Sequence, residues 1–332
     1  MMVSTGGKTM KKNWQETLHA IWMGMAVPGL ILAILVMFWE KDKPESNTEP
    51  ETLAAPVSLS VLVRWPDEGV EQMDMDEYLT GVVLAEMPAF FEPEALKAQA
   101  VAARTYARKA AVTGGKHGDG SVCTDYTCCQ AYLSPEEYLE KGGIRDDIQK
   151  VRSAVLDTSG YVLTYNGELI EAVYFSCSGG KTEDAAAVWG TDYPYLRSTD
   201  SPGEESAAFY SDTKVFTPEE FENALGIVLS AEPAQWFGEV TRTAGDGVDT
   251  MEIGGLKFSG VELRTALGLR STAFTITVQE NMIQVETLGY GHRVGMSQYG
   301  ADAMAAAGSN YQQILSHYYP GTVLEKCLQE GG

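Results

Sequence analysis

Residues 76–108 read DEYLTGVVLAEMPAFFEPEALKAQAVAARTYAR, two helical patterns joined through Glu86-Met87-Pro88. The first helix begins at Asp76 and must end near Met87, because Pro88 disfavours helical geometry in the residue before it. The second starts with Pro93 at its first position and runs to about Ala110. Its face of Leu96, Ala100, Ala103 and Ala107 is small, so a neighbour packs closely against it. The joint holds one carboxylate, Glu86, among Val83, Leu84, Met87, Phe90 and Phe91. Apolar company strips water from a carboxylate and favours its neutral, proton-donating form. The negative carbonyls at a helix end push the same way. These are the ingredients of a general acid that works near neutral pH. The competing reading is a Glu at a helix end that is merely solvated.

Outward from this segment, strands and helices mix without a regular βαβ alternation, which predicts an α+β fold. Val57 to Val63 alternates as a strand with one buried face. Tyr161 to Phe175 reads as a hairpin about a type I′ turn at Asn166-Gly167, and its second strand runs into Ser176-Cys177-Ser178-Gly179-Gly180. Thr217-Pro218-Glu219-Glu220 and Ser259 to Glu262 are capping boxes, the first opening a helix to about Leu225. A second hairpin joins Phe274–Val278 to Met282–Leu288. The glycine-rich loop from Gly289 to Gly295 leads into a helix through Ala306, and a last helix spans Tyr311 to Tyr318.

The chain has 332 residues and a formal net charge of −22. That acidity argues against non-specific nucleic-acid binding, which needs a basic footprint. Ala20 to Trp39 carries no charge and as a helix spans roughly 30 Å, a bilayer's hydrocarbon thickness. Trp22 and Trp39 lie near its ends, where interfacial aromatics belong. Lys8, Lys11 and Lys12 precede the span, so a short cytoplasmic tail (1–19) and a retained transmembrane helix (20–39) are expected. A cleaved signal peptide fits less well, for the run is long and lacks a small-x-small site. Residues 40–55, EKDKPESNTEPETLAA, read as a flexible tether. A single domain outside the cytoplasm then occupies 56–328.

His117, Cys123 and Cys129 recur at six-residue spacing in KHGDGSVCTDYTCCQ. Imidazole and thiolate are zinc's preferred ligands, and three of them leave a fourth position for water or another group. Disulfides are the alternative outside the cytoplasm, and five cysteines cannot all pair within the chain. The loop YGHRVGMSQYGA presents His292, Ser297 and Gln298 before a helix, where backbone N–H groups meet an anion or a sugar hydroxyl. The chain has no G-x-S-x-G elbow of a serine hydrolase.

Three segments together, LAEMP with the Ala-rich helix to Arg104, SCSGGKTEDAAAVWGTDYPYL and GYGHRVGMSQYGADAMA, resemble the stage II sporulation protein D family of lytic transglycosylases. The resemblance covers roughly Val57 to Cys327. It implies a membrane-anchored glycan lyase of endospore formation, its catalytic domain on the mother-cell side of the engulfing septum, cutting peptidoglycan strands during engulfment. Catalysis would fall to Glu86, and glycan contacts to Arg104, Ser176, Ser178, His292, Gln298 and Tyr299. Zinc would sit on His117, Cys123 and Cys129. The implied partners are a cell-wall amidase (sporulation protein P), which strips stem peptides, and the multi-pass sporulation protein M. Denuded glycan would be the substrate.

Two residues depart from the family pattern: Arg293 replaces a common Gly, and Cys177 replaces a common Thr. Asp74, Asp76 and Glu77 are available as a second carboxylate, which a hydrolase needs. Arg104, one helix away, is expected to lower the pKa of Glu86. A non-catalytic amidase activator and a zinc amidase are the rival readings.

Overall fold

The computed structural model describes residues 59–327 apart from Glu68. The expected tail, membrane span and tether lie outside the described residues. Strand β1 (Ser60–Trp65) alternates buried and exposed residues and pairs antiparallel with β2 (Gly69–Asp74). Asp74 then caps helix α1 (Met75–Glu86), its carboxylate accepting from the N–H groups of Asp76 and Glu77. The helix stops before Met87, which is extended ahead of Pro88 as the proline requires. Helix α2 (Pro93–Thr113) runs three residues past the expected end, to a left-handed Gly114 at φ 87°. Leu96, Ala100, Ala103 and Ala107 are all fully buried, and α2 touches α1 closely.

After α2 the chain forms β3 (Val122–Cys123), parallel to β1, then helices α3 (Pro135–Glu140) and α4 (Arg145–Asp157). The hairpin at Asn166-Gly167 forms, with both residues at positive φ, but it is short. Strand β4 (Tyr161–Tyr165) pairs with β5 (Glu168–Leu169) through two residues only. Tyr174–Phe175 leaves that sheet as β6 and pairs in parallel with a distant strand. The sequence reading merged two elements here. The alternating pattern continued past the point where the chain turned away.

Helix α5 (Ala185–Trp189) precedes a second, smaller hydrophobic core built around Phe221, Trp236, Ile253, Leu263, Phe274 and Ile283. Its parts are β7 (Ser211–Phe216), helix α6 (Pro218–Leu225), β8 (Phe237–Arg242), β9 (Val248–Ile253), β10 (Leu256–Ser259) and helix α7 (Gly260–Ala266). The hairpin β11 (Phe274–Gln279) and β12 (Met282–Leu288) completes it, with β12 central between β11 and β7. Both expected capping boxes are present. The chain then re-enters the larger core through β13 (Met296–Ser297), helix α8 (Gln298–Ala306), helix α9 (Tyr311–Tyr318) and β14 (Val323–Lys326). The fold is α+β. Among the described residues no helix is long and apolar enough to cross a membrane.

Candidate active site and metal centre

Glu86 ends α1 half-buried. Val83, Leu84, Met87 and Phe91 are buried around it, whereas Phe90 is 76% exposed and contributes little desolvation. Burial raises the Glu86 carboxyl above the ordinary glutamate value, while the Ala131 N–H and the Gln298 side chain pull it back. The Ala131 N–H donates to Oε1 at 2.8 Å. Gln298 Nε2 is buried and faces the same carboxyl without completing a hydrogen bond of normal geometry.

Gln298 reaches Glu86 because β6 and β13 pair, Met296 with Tyr174 and Ser297 with Phe175. That short ladder also seats the Ser176 carbonyl on the Tyr299 N–H at 3.0 Å. His292 is half-buried between Phe175 and the exposed Trp189, with ring centroids at 5.6 and 5.2 Å. Its Nδ1 accepts from the Val294 N–H, so the neutral ring carries its proton on Nε2, and the ring also hydrogen-bonds the Tyr174 backbone. Burial, then the charge of Arg264, lowers its pKa to about 4. The ring is neutral at physiological pH.

The segment that supplies the Ala131 N–H also carries the thiols. His117 Nε2 lies 3.6 Å from Cys129 Sγ and 3.8 Å from Cys128 Sγ, and the two sulfurs are 3.8 Å apart. With Cys123 the four ligand atoms lie within 4.8 Å of one another. Zn–S bonds of about 2.3 Å at tetrahedral angles put sulfurs about 3.8 Å apart, so the donor set and its edges fit zinc. Sequence spacing singled out three of these four residues and left out Cys128. A turn brings it in: the N–H groups of Cys128 and Cys129 both donate to the Asp125 carbonyl. All five cysteines are unbridged, so the disulfide alternative is not formed. The segment is further pinned to α1, where Leu133 N–H donates to the Gly81 carbonyl and the Tyr132 ring lies against Gly81. A Cβ at Gly81 would run into that ring.

A family model described as "Stage II sporulation protein" matches residues 67–165. The chain is 41% identical to stage II sporulation protein D of Bacillus subtilis (strain 168), over 87% of this chain and 86% of the relative. The Bacillus amyloliquefaciens protein of that name is 40% identical, over 85% and 82%. The chain belongs to the stage II sporulation protein D family. It is also 33% identical to an amidase enhancer of Bacillus subtilis (strain 168), over 74% of this chain and 40% of that relative.

Two of the glycan residues named by the resemblance are buried and otherwise engaged. Arg104 is fully buried, paired to Asp76 at 3.0 Å and donating to the carbonyls of Thr158 and Val155. It reaches no surface open to a glycan, and it is not among the groups that shift Glu86. The long Arg side chain runs back along α2 towards the N-terminal end of α1. Ser178 is fully buried, and both its N–H and its hydroxyl donate to Glu204 Oε2, at 2.7 and 2.8 Å. Cys177, the departure from Thr, donates to the same oxygen at 3.2 Å, as a threonine hydroxyl would.

Arg293 is the other departure. It has φ 64°, a region that favours glycine, which accounts for the residue common in relatives of the family. Its guanidinium is buried and bonds Glu183 and the carbonyls of Ser178, Lys181 and Gly245. It therefore ties the SGG loop to the turn before β9, and it leaves Glu86 untouched.

The carboxylates offered as partners of Glu86 sit at the other end of α1. Asp74 caps the helix, and Asp76 binds Arg104 and the Ser159 hydroxyl. Ten residues of helix separate Asp76 from Glu86, roughly 15 Å, beyond the 5–9.5 Å or so that separates paired glycosidase acids. Sequence reading missed Glu204 and Gln130. Gln130 joins Tyr78 to Tyr174 beneath the acid, at 3.2 and 2.8 Å. Neither residue has a sequence signal, because both act through contacts far along the chain.

Proposed function

We propose that this chain is a lytic transglycosylase of peptidoglycan glycan, with Glu86 as its proton donor. The observation that carries the reading is the half-buried Glu86 carboxyl, raised by burial and faced by Gln298, with the candidate partner acids a helix-length away. Protonated Glu86 donates to the oxygen between N-acetylmuramic acid and N-acetylglucosamine, and the bond from that oxygen to muramic C1 breaks. The sugar's own C6 hydroxyl then attacks C1, its proton returns to the Glu86 carboxylate, and a 1,6-anhydro end results. One carboxyl serving as acid and then base suffices. His292, Ser176, Gln298 and Tyr299 are the residues assigned to glycan contact beside it.

His117, Cys123, Cys128 and Cys129 would hold zinc as a closed structural site. Cys128 takes the fourth place, so no coordination position remains for the water of a zinc amidase. A metal held there would stiffen the 123–133 segment, whose Ala131 N–H donates to Glu86. Membrane anchoring through 20–39, action at the engulfing septum and partnership with the amidase (sporulation protein P) and sporulation protein M complete the reading.

Incubation of the full chain with peptide-free glycan, with products identified by mass spectrometry, tests it. Anhydro-muramic ends are expected; water-terminated reducing ends would make it a muramidase instead. The likeness to an amidase enhancer favours one other reading, a non-catalytic glycan-binding activator. Strand binding without any cleavage would select that one.

A further inference from the structure

The amide of Gln130 is buried and its orientation is fixed by its neighbours. Its Nε2 faces the Ala103 carbonyl in a long contact of 3.5 Å. A carbonyl only accepts, so that contact decides which end of the amide is nitrogen. The same Nε2 donates to the Tyr174 hydroxyl oxygen at 2.8 Å, and Oε1 accepts from the Tyr78 hydroxyl at 3.2 Å. Gln130 therefore ties α1, α2 and β6 together at one point. With its oxygen held by an amide N–H, the Tyr174 phenol keeps its own proton for a second partner. Among the described residues no hydrogen bond takes that proton.

The titratable groups around the phenol leave one charged acceptor. Tyr78 spends its proton on Gln130, and Tyr319 spends its own on the Val173 carbonyl at 2.7 Å. Burial raises both phenols, so both are neutral at any working pH. The third group acting on Tyr174 is Glu86, and its charge acts more strongly than either phenol. Two neighbours bring the carboxyl close. Ala131, the residue after Gln130, donates its N–H to Glu86 Oε1 at 2.8 Å. Gln298, which faces the same carboxyl, follows the residue paired with Phe175. No lysine, arginine or second carboxylate is among the groups that shift Glu86.

We infer that Tyr174 is a positioning residue for Glu86, its hydroxyl oxygen held by Gln130 and its O–H turned to the carboxylate that forms when Glu86 gives up its proton. The inference rests on the acid role proposed above and deepens it. A carboxyl that acts first as acid and then as base exists for an interval as an anion in a largely apolar setting. A further donor favours that anion over the neutral acid. The row Tyr78, Gln130, Tyr174 runs in one donor direction, and each bond in such a row polarises the next, which strengthens the last donor. No proton leaves Tyr174, because burial holds its phenol neutral. The proton of Glu86 goes to the glycosidic oxygen as before, and Tyr174 steadies what remains.

The test follows the Glu86 carboxyl itself, by carbon-13 NMR titration of the full chain labelled at its glutamate carboxyls. The Glu86 signal is the one lost in Glu86→Gln. Tyr174→Phe removes only the hydroxyl. A donor to the anion lowers a carboxyl's pKa, so its loss should move the midpoint up by roughly one pH unit, the size of a hydrogen bond to a charged group. On denuded glycan, kcat should fall about tenfold at unchanged KM, the same free energy expressed as a rate. Gln130→Glu offers the phenol proton a nearer acceptor and should also move the midpoint up; a fall or no change there contradicts the direction assigned to the O–H. Tyr78→Phe should leave the midpoint in place, since the Ala103 carbonyl still orients the amide. An unmoved midpoint in Tyr174→Phe overturns the inference. So does an equal rise in Tyr78→Phe, which marks a general loosening of the network. The midpoint is read without glycan, so the two readings part cleanly. If the unaltered chain cuts no glycan yet the midpoint moves as stated, the lyase reading falls and this one stands. Anhydro products with an unmoved midpoint separate them the other way.

Discussion

Two glutamates near the same parallel ladder, one ending helix α1 and one in a turn, are handled in opposite ways. Around Glu204 the chain gathers donors on both carboxylate oxygens: the N–H groups of Ser178 and Gly179, the Ser178 hydroxyl and the Cys177 thiol on one, the Ser201 hydroxyl on the other. Around Glu86 it places a single backbone donor, Ala131, and an amide that stops short of a full bond. Donors stabilise the charged form, and apolar surroundings without them stabilise the neutral one. The first carboxylate is thus a rivet, and the second is the one left free to change its charge. Donor supply, rather than burial alone, separates structural acids from chemical ones.

That contrast can be broken in several ways, the most drastic at Glu86 itself. Glu86→Gln should lower kcat/KM on denuded glycan by about 10²–10⁴, the usual share of a general acid, with the urea midpoint unchanged. Retained activity would end the distinction. Glu204→Ala should do the reverse, leaving several buried donors unsatisfied and costing about 3 kcal/mol or more of stability. A change under about 0.5 kcal/mol in chemical denaturation would show that the donors find other partners.

Thiol chemistry offers a sharper pair. Cys128→Ser should lower bound zinc and the melting temperature, because it removes a ligand that fixes the Ala131 segment. Cys177→Ser should change neither much, since a serine hydroxyl still donates to Glu204. Elemental zinc analysis beside thermal unfolding reads both, and equal zinc loss in the two variants would contradict the four-ligand assignment.

The smallest expected effect is a shift in pH dependence. Glu86 must be protonated to act, so activity is lost as pH rises through its raised folded-state pKa. The alkaline limb of kcat/KM therefore lies above the ordinary glutamate range near 4.3 or so. Gln298→Leu removes a group that lowers this pKa and should move the limb to higher pH. Movement to lower pH would mean that Gln298 does not oppose the shift. The same sign holds for stability: the Glu86 contribution is present below the unfolded value and fades as pH rises through the raised one.

Local signals in the sequence carried much of this. Caps, the Pro88 stop and the Asn166-Gly167 turn placed most helices and both hairpin turns near where they form. Glu86 was legible because its neighbours in sequence are also its neighbours in space. Arg104 was misplaced because a long buried side chain takes its partners from Asp76 and α4, which no motif foretells. Phe90 was counted as a desolvating residue although the turn aims it outward. The smaller core was read only in part, since β8, β9 and β10 are short and their alternation is interrupted by a bulge and tight turns. Cys128 escaped because its role depends on a turn that presents two adjacent thiols to one point.

The two-residue ladder between Tyr174–Phe175 and Met296–Ser297 has a consequence for timing. It joins segments separated by the whole of the smaller core, and loop closure over such a distance is entropically expensive and slow. Gln298, Tyr299 and His292 arrive at Glu86 only when that closure is made. A chain still emerging, or one clipped before its last helices, holds its acid without the groups that face it. Assembly of the proposed site is thereby withheld until the closing strand has paired.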